Sequence, residues 1–118
     1  MYSVVVLDWH LKRWDIEMSR YDLSGEVAVV IGGTGVLGGA IAQGLAEAGA
    51  NVAVVDRNGD TAKQTAQEIS ALGVESIAIE TDVTQTDQVN HMVDQVTSKW
   101  GTLDIAVNNA GIAIRSPA

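Results

Sequence analysis

Residues 33–38 read G-T-G-V-L-G and lie inside the longer stretch "VAVVIGGTGVLGGAIAQGLAEAGANVAVVD" (27–56). An apolar β-branched run enters the glycines, an alanine-rich segment leaves them, and a second apolar run ends on Asp56. Glycines at this spacing do three things a side chain would obstruct. One makes a tight turn, one lets backbone approach a pyrophosphate, and one lets helix and strand pack closely. The phosphates then meet N–H groups at the positive end of the helix. An acid at the tip of the next strand, near the expected distance beyond the glycines, can accept hydrogen bonds from ribose hydroxyls. Asp56 stands there. A carboxylate at that point favours the 2′-hydroxyl of NAD and repels the 2′-phosphate of NADP, and Arg57 softens that repulsion. NAD is therefore the expected cofactor, with NADP second. The competing readings are a packing turn for the glycines and an Arg57 partner for Asp56.

The elements that must hold these residues follow from the pattern. "VAVVI" (27–31), "NVAVVD" (51–56), "ESIAIE" (75–80) and "LDIAV" (103–107) read as buried strands. Between them, helices are expected over 37–48, capped by Gly49, and from Asp60 as N-cap through about Leu72, stopped by Gly73. Thr84 and Asp87 form a capping signature opening a third helix to Trp100, ended by Gly101, with Val89, Met92, Val93 and Val96 on its inner face. This β-α-β-α-β-α-β rhythm predicts an α/β fold. It is a Rossmann-type, three-layer αβα unit with a parallel sheet of order 3-2-1-4.

Residues 1–20 fall outside the rhythm and form an N-terminal extension in which "SVVVL" is a candidate extra strand; residues 21–118 form the nucleotide-binding half-domain. Met18, before "SRYDLSG", looks like a natural start. The chain has 118 residues, 47% of them hydrophobic, with aromatics only 4%, so its core is aliphatic and suits buried parallel strands. Fifteen acidic and 7 basic residues give a net charge of −8. Without a clustered basic patch this is poor material for a nucleic-acid or anionic membrane surface. Cysteine is absent, so no disulfide or thiolate metal site is expected. No basic leader or membrane-length apolar run is seen, and a soluble cytoplasmic protein is the expectation.

Beyond the glycines, the chain resembles the short-chain dehydrogenase/reductase family over residues 22–114. "DLSGEVAVVIGGTGVLGGAIAQGLAEAGANVAVVDRN" is similar to the family's opening, "TDVT" (81–84) to its adenine contact, and "LDIAVNNAG" (103–111) to its fourth strand and N-N-A-G turn. The resemblance implies a cofactor site of Gly32, Gly33, Thr34, Gly35, Val36, Leu37 and Gly38, with Asp56 and Arg57 at the ribose. It places Asp82 and Val83 at the adenine, and Asn109, Ala110 and Gly111 beside the nucleotide. Ile31 stands where the family's T-G-x-x-x-G-x-G motif has threonine, and Val36 where it has glycine. The spacing Gly32, Gly35, Gly38 follows the family's extended members instead. The lost threonine hydroxyl would, by resemblance, have tied the first turn to the N-N-A-G turn.

The family's catalytic Asn, Ser, Tyr and Lys lie beyond that turn. Here the tyrosines are Tyr2 and Tyr21, neither followed by lysine four positions on. The expectation is the cofactor half of an NAD(P)-dependent oxidoreductase, truncated before the catalytic half, with no catalytic or metal-binding residues. His10, His91, Lys12 and Arg13 read as solvated, and Trp9, Trp14 and Trp100 as packing. A stand-alone nucleotide-binding or assembly module is the alternative. A phospho-receiver, suggested by Asp8 and Asp56 after apolar strands, lacks the second acid and lysine it needs. The fourth strand, left as an unguarded edge, predicts a homodimer or larger assembly, through "YSVVVLD" or a second fourth strand.

Overall fold

The structure, a computed structural model, describes residues 22–109. Ala110, Gly111 and the N-terminal extension with its candidate strand lie outside the described residues.

Among the described residues, strands β1 (Val27–Ile31), β2 (Asn51–Asp56), β3 (Ser76–Glu80) and β4 (Ile105–Asn108) alternate with helices α1 (Val36–Glu47), α2 (Gly59–Ser70) and α3 (Thr86–Trp100). The sheet is parallel throughout, in the order β3-β2-β1-β4. Its two faces are covered separately. Ala28, Val30, Val52, Val54, Ile105 and Val107 face Ile41, Ala42 and Leu45 of α1 and Ala62, Ala66 and Ile69 of α2. Val27, Val29, Ala53, Val55 and Ile79 face Met92 and Val96 of α3, with Val89 and Val93 partly buried beside them. Alternate strand residues thus go to opposite layers, and both layers are apolar, which is why these strands read as unbroken hydrophobic runs.

Three local expectations are corrected. Asn58, not Asp60, caps α2: its side-chain oxygen accepts from the N–H of Asp60 and of Thr61. The chain is still extended at Asn58 and already helical by Gly59, so only Asn58 can reach back over the first turn. The Thr84–Asp87 signature does not cap α3. The N-cap is Gln85, and the Thr84 hydroxyl is spent two residues back on Asp82 Oδ1 at 2.6 Å. The fourth strand begins two residues late because Asp104 serves as its bracket. Its backbone N–H donates to the Val27 carbonyl (2.9 Å) and its Oδ2 accepts the Val27 N–H (2.9 Å).

Trp100 packs as expected, with its indole N–H donating to Glu75 Oε1 at 2.7 Å and tying the end of α3 to the entrance of β3. No helix among the described residues is long and apolar enough to cross a membrane.

Candidate functional site

The carboxyl ends of β1, β2, β3 and β4 lie along one rim, and each contributes the residue that follows it. Between β1 and β4 the strand order reverses, β2 and β3 having been laid down on the other side of β1. A crevice at such a reversal is where open α/β sheets take their ligands.

The glycine turn is built there by a division of labour. Gly32 carries the positive φ (79°), a conformation that costs other residues strain. The reversal falls on Gly32 because the β1 ladder ends at Ile31, and its N–H donates to the Val55 carbonyl at 2.8 Å. Gly33 is packed: a Cβ there would come within 3.1 Å of the Val30 carbonyl oxygen and 3.3 Å of the Val54 side chain. At Gly35 a Cβ would meet nothing within 4 Å, so this glycine leaves the approach open. At Gly38 a Cβ would be driven into the Gly32 carbonyl, with Gly33 Cα only 3.0 Å away. The turn, open-approach and close-packing roles thus fall on Gly32, Gly35 and Gly38, and Gly33 does not make the turn.

Helix α1 starts on Gly35 as N-cap with no side-chain cap and no acid in its first turn. The first intrahelical bond closes Gly39 N–H onto Gly35 O at 2.7 Å, so the N–H groups of Val36, Leu37 and Gly38 precede the ladder. By contrast α2 is capped by Asn58 and carries Asp60, and α3 carries Asp87. Among the described helices, α1 alone presents an N-terminus with neither an internal cap nor an internal anion. Val36, where the resemblance expects glycine, is 95% exposed and stands clear of the turn.

Asp56 is half-buried at the tip of β2. Its Oδ2 accepts the Thr34 hydroxyl at 2.7 Å and its Oδ1 accepts the Asn58 N–H at 3.0 Å. The carboxylate is therefore gripped from the glycine turn on one side and from the following loop on the other. Arg57 is exposed. Past β3, Thr81 N–H donates to the Asp56 carbonyl at 2.9 Å, bringing Asp82 and Val83 beside the same rim. Two bonds from Thr84, its hydroxyl and its N–H, hold the Asp82 carboxyl below the usual carboxylate range. Desolvation opposes them, and the nearby Arg57 charge helps.

From β4, Asn109 reaches back to the first turn. Its N–H donates to the Ile31 carbonyl at 2.8 Å and its Nδ2 to the Gly32 carbonyl at 3.4 Å. The tie expected to be lost with the threonine at position 31 is supplied instead by Asn109. The structure thus gathers Gly32 to Gly38, Asp56 and Asn109 at one rim, with Arg57, Asp82 and Val83 on its β2–β3 flank. Sequence reasoning missed the grip of Thr34 and Asn58 on Asp56. A hydroxyl two residues past the turn glycine, facing an acid on the next strand, was its only signal. A separate cleft of about 620 Å³, lined by Ile77, His91, Asp94 and Lys99 among others, lies between β3 and α3 and touches none of these residues.

An uncapped helix N-terminus at the reversal point of a parallel sheet, with a carboxylate on the neighbouring strand tip, defines a dinucleotide-binding α/β unit. Comparison with known proteins narrows the class. A sequence profile described as short chain dehydrogenase matches residues 26–118. The chain belongs to the short-chain dehydrogenase family of oxidoreductases, with that family's NAD(P)-binding fold. It is 45% identical over 86 residues to the 3-oxoacyl-[acyl-carrier-protein] reductase FabG of Staphylococcus epidermidis, covering 72% of this chain and 35% of FabG. Among solved structures it is similar to a putative D-mannonate oxidoreductase from Haemophilus influenza with bound NAD. The TM-score is 0.76 and the identity 30%, over 86% of this chain and 35% of that one. It is also similar to Pseudomonas aeruginosa RhlG in complex with NADP, with a TM-score of 0.71 and 36% identity over 77% and 36% of the two chains. The chain spans about a third of the length of these relatives.

Proposed function

We propose that this chain binds NAD through the rim described above, as the nucleotide half of an enzyme that moves hydride between the cofactor and an alcohol or ketone. The observation that carries the reading is the N-terminus of α1, free of internal cap and acid and opened by Gly35, with Asp56 on the adjacent strand tip. Val36, Leu37 and Gly38 N–H groups would hold the pyrophosphate, Asp56 the adenosine ribose, Asp82 and Val83 the adenine. Asn109, with Ala110 and Gly111, would line the nicotinamide side. When bound, the nicotinamide supplies a hydride acceptor or donor. The residues of this chain bind and orient it, and two of the four acceptor positions of Asp56 remain for ribose hydroxyls after Thr34 and Asn58 have taken theirs. A 2′-phosphate offers no donor to that carboxylate and adds like charge, which favours NAD over NADP.

Neither tyrosine of the chain is followed by lysine four positions on, so by itself the chain is read as binding without turnover. Calorimetric titration with NAD and NADP tests the binding. No heat from either at millimolar concentration refutes it, and turnover of an alcohol or ketone by host-free protein refutes the lack of catalysis. A cytoplasmic location is part of the same proposal.

The edge of β4 supports a second proposal, that the 118-residue chain self-associates. Ile105 and Val107 are buried against the helical layer, yet no described strand pairs with β4 on its outer side. Such an edge templates another strand, from residues 2–8 or from a second copy. Light scattering on the chain and on one starting at Met18 tests this, and a monodisperse monomer in both cases refutes it.

A further inference from the structure

The Thr34–Asp56 bond joins two parts of the rim that the chain holds 22 residues apart. Its donor stands two residues past the turn glycine. That glycine is itself fixed to β2 by its N–H on the Val55 carbonyl, so the turn meets the strand tip at two successive points, one backbone and one side chain. With Asn58 N–H on the other oxygen, both ends of the Asp56 carboxylate are pinned. A pinned carboxylate cannot rotate or swing outward, whereas a carboxylate on a free χ1 can turn away from an approaching anion. Arg57, one residue on, is exposed and free to offer such an anion a cation in its place.

We propose that Thr34 is a positioning residue that sets cofactor choice: by holding Asp56 in place it enforces rejection of a 2′-phosphate, and without it the site accepts both adenosine forms. The proposal rests on the dinucleotide reading above. Thr34 acts through Asp56, so its effect exists only while Asp56 is a carboxylate. One geometric fact separates this from a packing role: Thr34 is only half-buried.

The test uses the full 118-residue chain, with ADP-ribose and 2′-phospho-ADP-ribose as probes in calorimetric titrations. Thr34→Val and Thr34→Ala remove the donor, and Thr34→Ser keeps it. Wild type prefers ADP-ribose. Val and Ala at position 34 reduce that preference about fivefold, the worth of one hydrogen bond, with thermal midpoints near wild type. Ser restores it. In an Asp56→Ala background the preference is already relaxed, and Thr34→Val changes it no further.

If Asp56→Ala relaxes the preference but Thr34→Val and Thr34→Ala leave it intact, the role given to Thr34 is overturned while the nucleotide reading stands. If Thr34→Val has the same effect with and without Asp56, the hydroxyl touches the ligand directly and the proposal is likewise overturned. If wild type binds neither probe at millimolar concentration, the nucleotide reading fails and this inference with it.

Discussion

Replacing Gly38 with alanine adds one methyl group at the point where the first turn of α1 lies on the glycine turn. That carbon would sit 2.9 Å from Gly32 C and 3.0 Å from Gly33 Cα, and closer still to the Gly32 carbonyl oxygen. Carbon atoms rest at about 3.5–4.0 Å and the oxygen contact is tighter still, so helix and turn must part by roughly 1 Å or more. All the atoms in the way belong to backbone, and no side chain can rotate aside. Two bonds lie in the path of the movement, Gly32 N–H to Val55 O and Asn109 Nδ2 to Gly32 O. Overpacking of this kind costs about 1–3 kcal/mol and each bond about 1 kcal/mol, against a gain of about 1 kcal/mol for alanine over glycine in a helix. The net loss is about 2–4 kcal/mol, or a fall in melting temperature of about 10 °C or more for a domain of this size.

Gly39→Ala is the control. Its Cβ would stand 3.7 Å from the Gly33 carbonyl oxygen, an ordinary contact, so it leaves the midpoint unchanged or raises it. Circular dichroism melts and urea titrations of the two variants decide the matter. A Gly38→Ala midpoint within 2 °C of wild type, or equal losses in both variants, would sink the argument from close backbone approach.

Gly35→Ala should fold like wild type, since its Cβ meets only open space, yet weaken NAD binding at least tenfold in calorimetry if phosphate approaches that backbone. Asp56→Ala should weaken NAD and relatively favour NADP in the same assay. Asp104→Ala strands the Val27 N–H and should cost about 2 kcal/mol in urea unfolding, the worth of a bond to a charged group. Thr84→Val removes a donor that lowers the Asp82 pKa. A lowered native pKa stabilises above the ordinary aspartate value near ~4 and is lost as pH falls through the native value. The variant should therefore be less stable than wild type at neutral pH and converge with it in strong acid, with the Asp82 carboxyl titrating higher by NMR.

The order of elements was legible because buried parallel strands must be apolar on both faces, and the runs around Val29, Val54 and Ile79 are. The sequence also placed Asp56 and the glycines at one end of the sheet, since both follow directly from strand ends. What it misassigned was local competition. Asn58 and Asp60 are both good caps, and only the backbone at Asn58, still extended, decides between them. Thr84 fits a capping pattern, yet Asp82 offers its hydroxyl a nearer acceptor. Which glycine makes the turn depends on where the β1 ladder stops, a fact of pairing with β2 and β4 rather than of spacing. The bonds that finish the site, Thr34 to Asp56 and Asn109 to Gly32, span 22 and 77 residues and leave no local pattern to read.

The placement of β1 has a consequence for how the chain must be made. It is the first of the described strands to leave the ribosome, yet it is flanked on both sides. One flank is filled by β2, beginning 24 residues later at Asn51; the other waits for Asp104 and Asn109, each 77 residues from its partner on β1 or the turn beyond it. Until residue 109 has been made, then, the nascent sheet carries an open, apolar central strand with the glycine turn unclasped. Contacts of such long separation close slowly. A pause in translation before residue 109 would hold the chain in this sticky intermediate, so its yield should depend on chaperone supply and on elongation speed between residues 56 and 109 more than on its final stability.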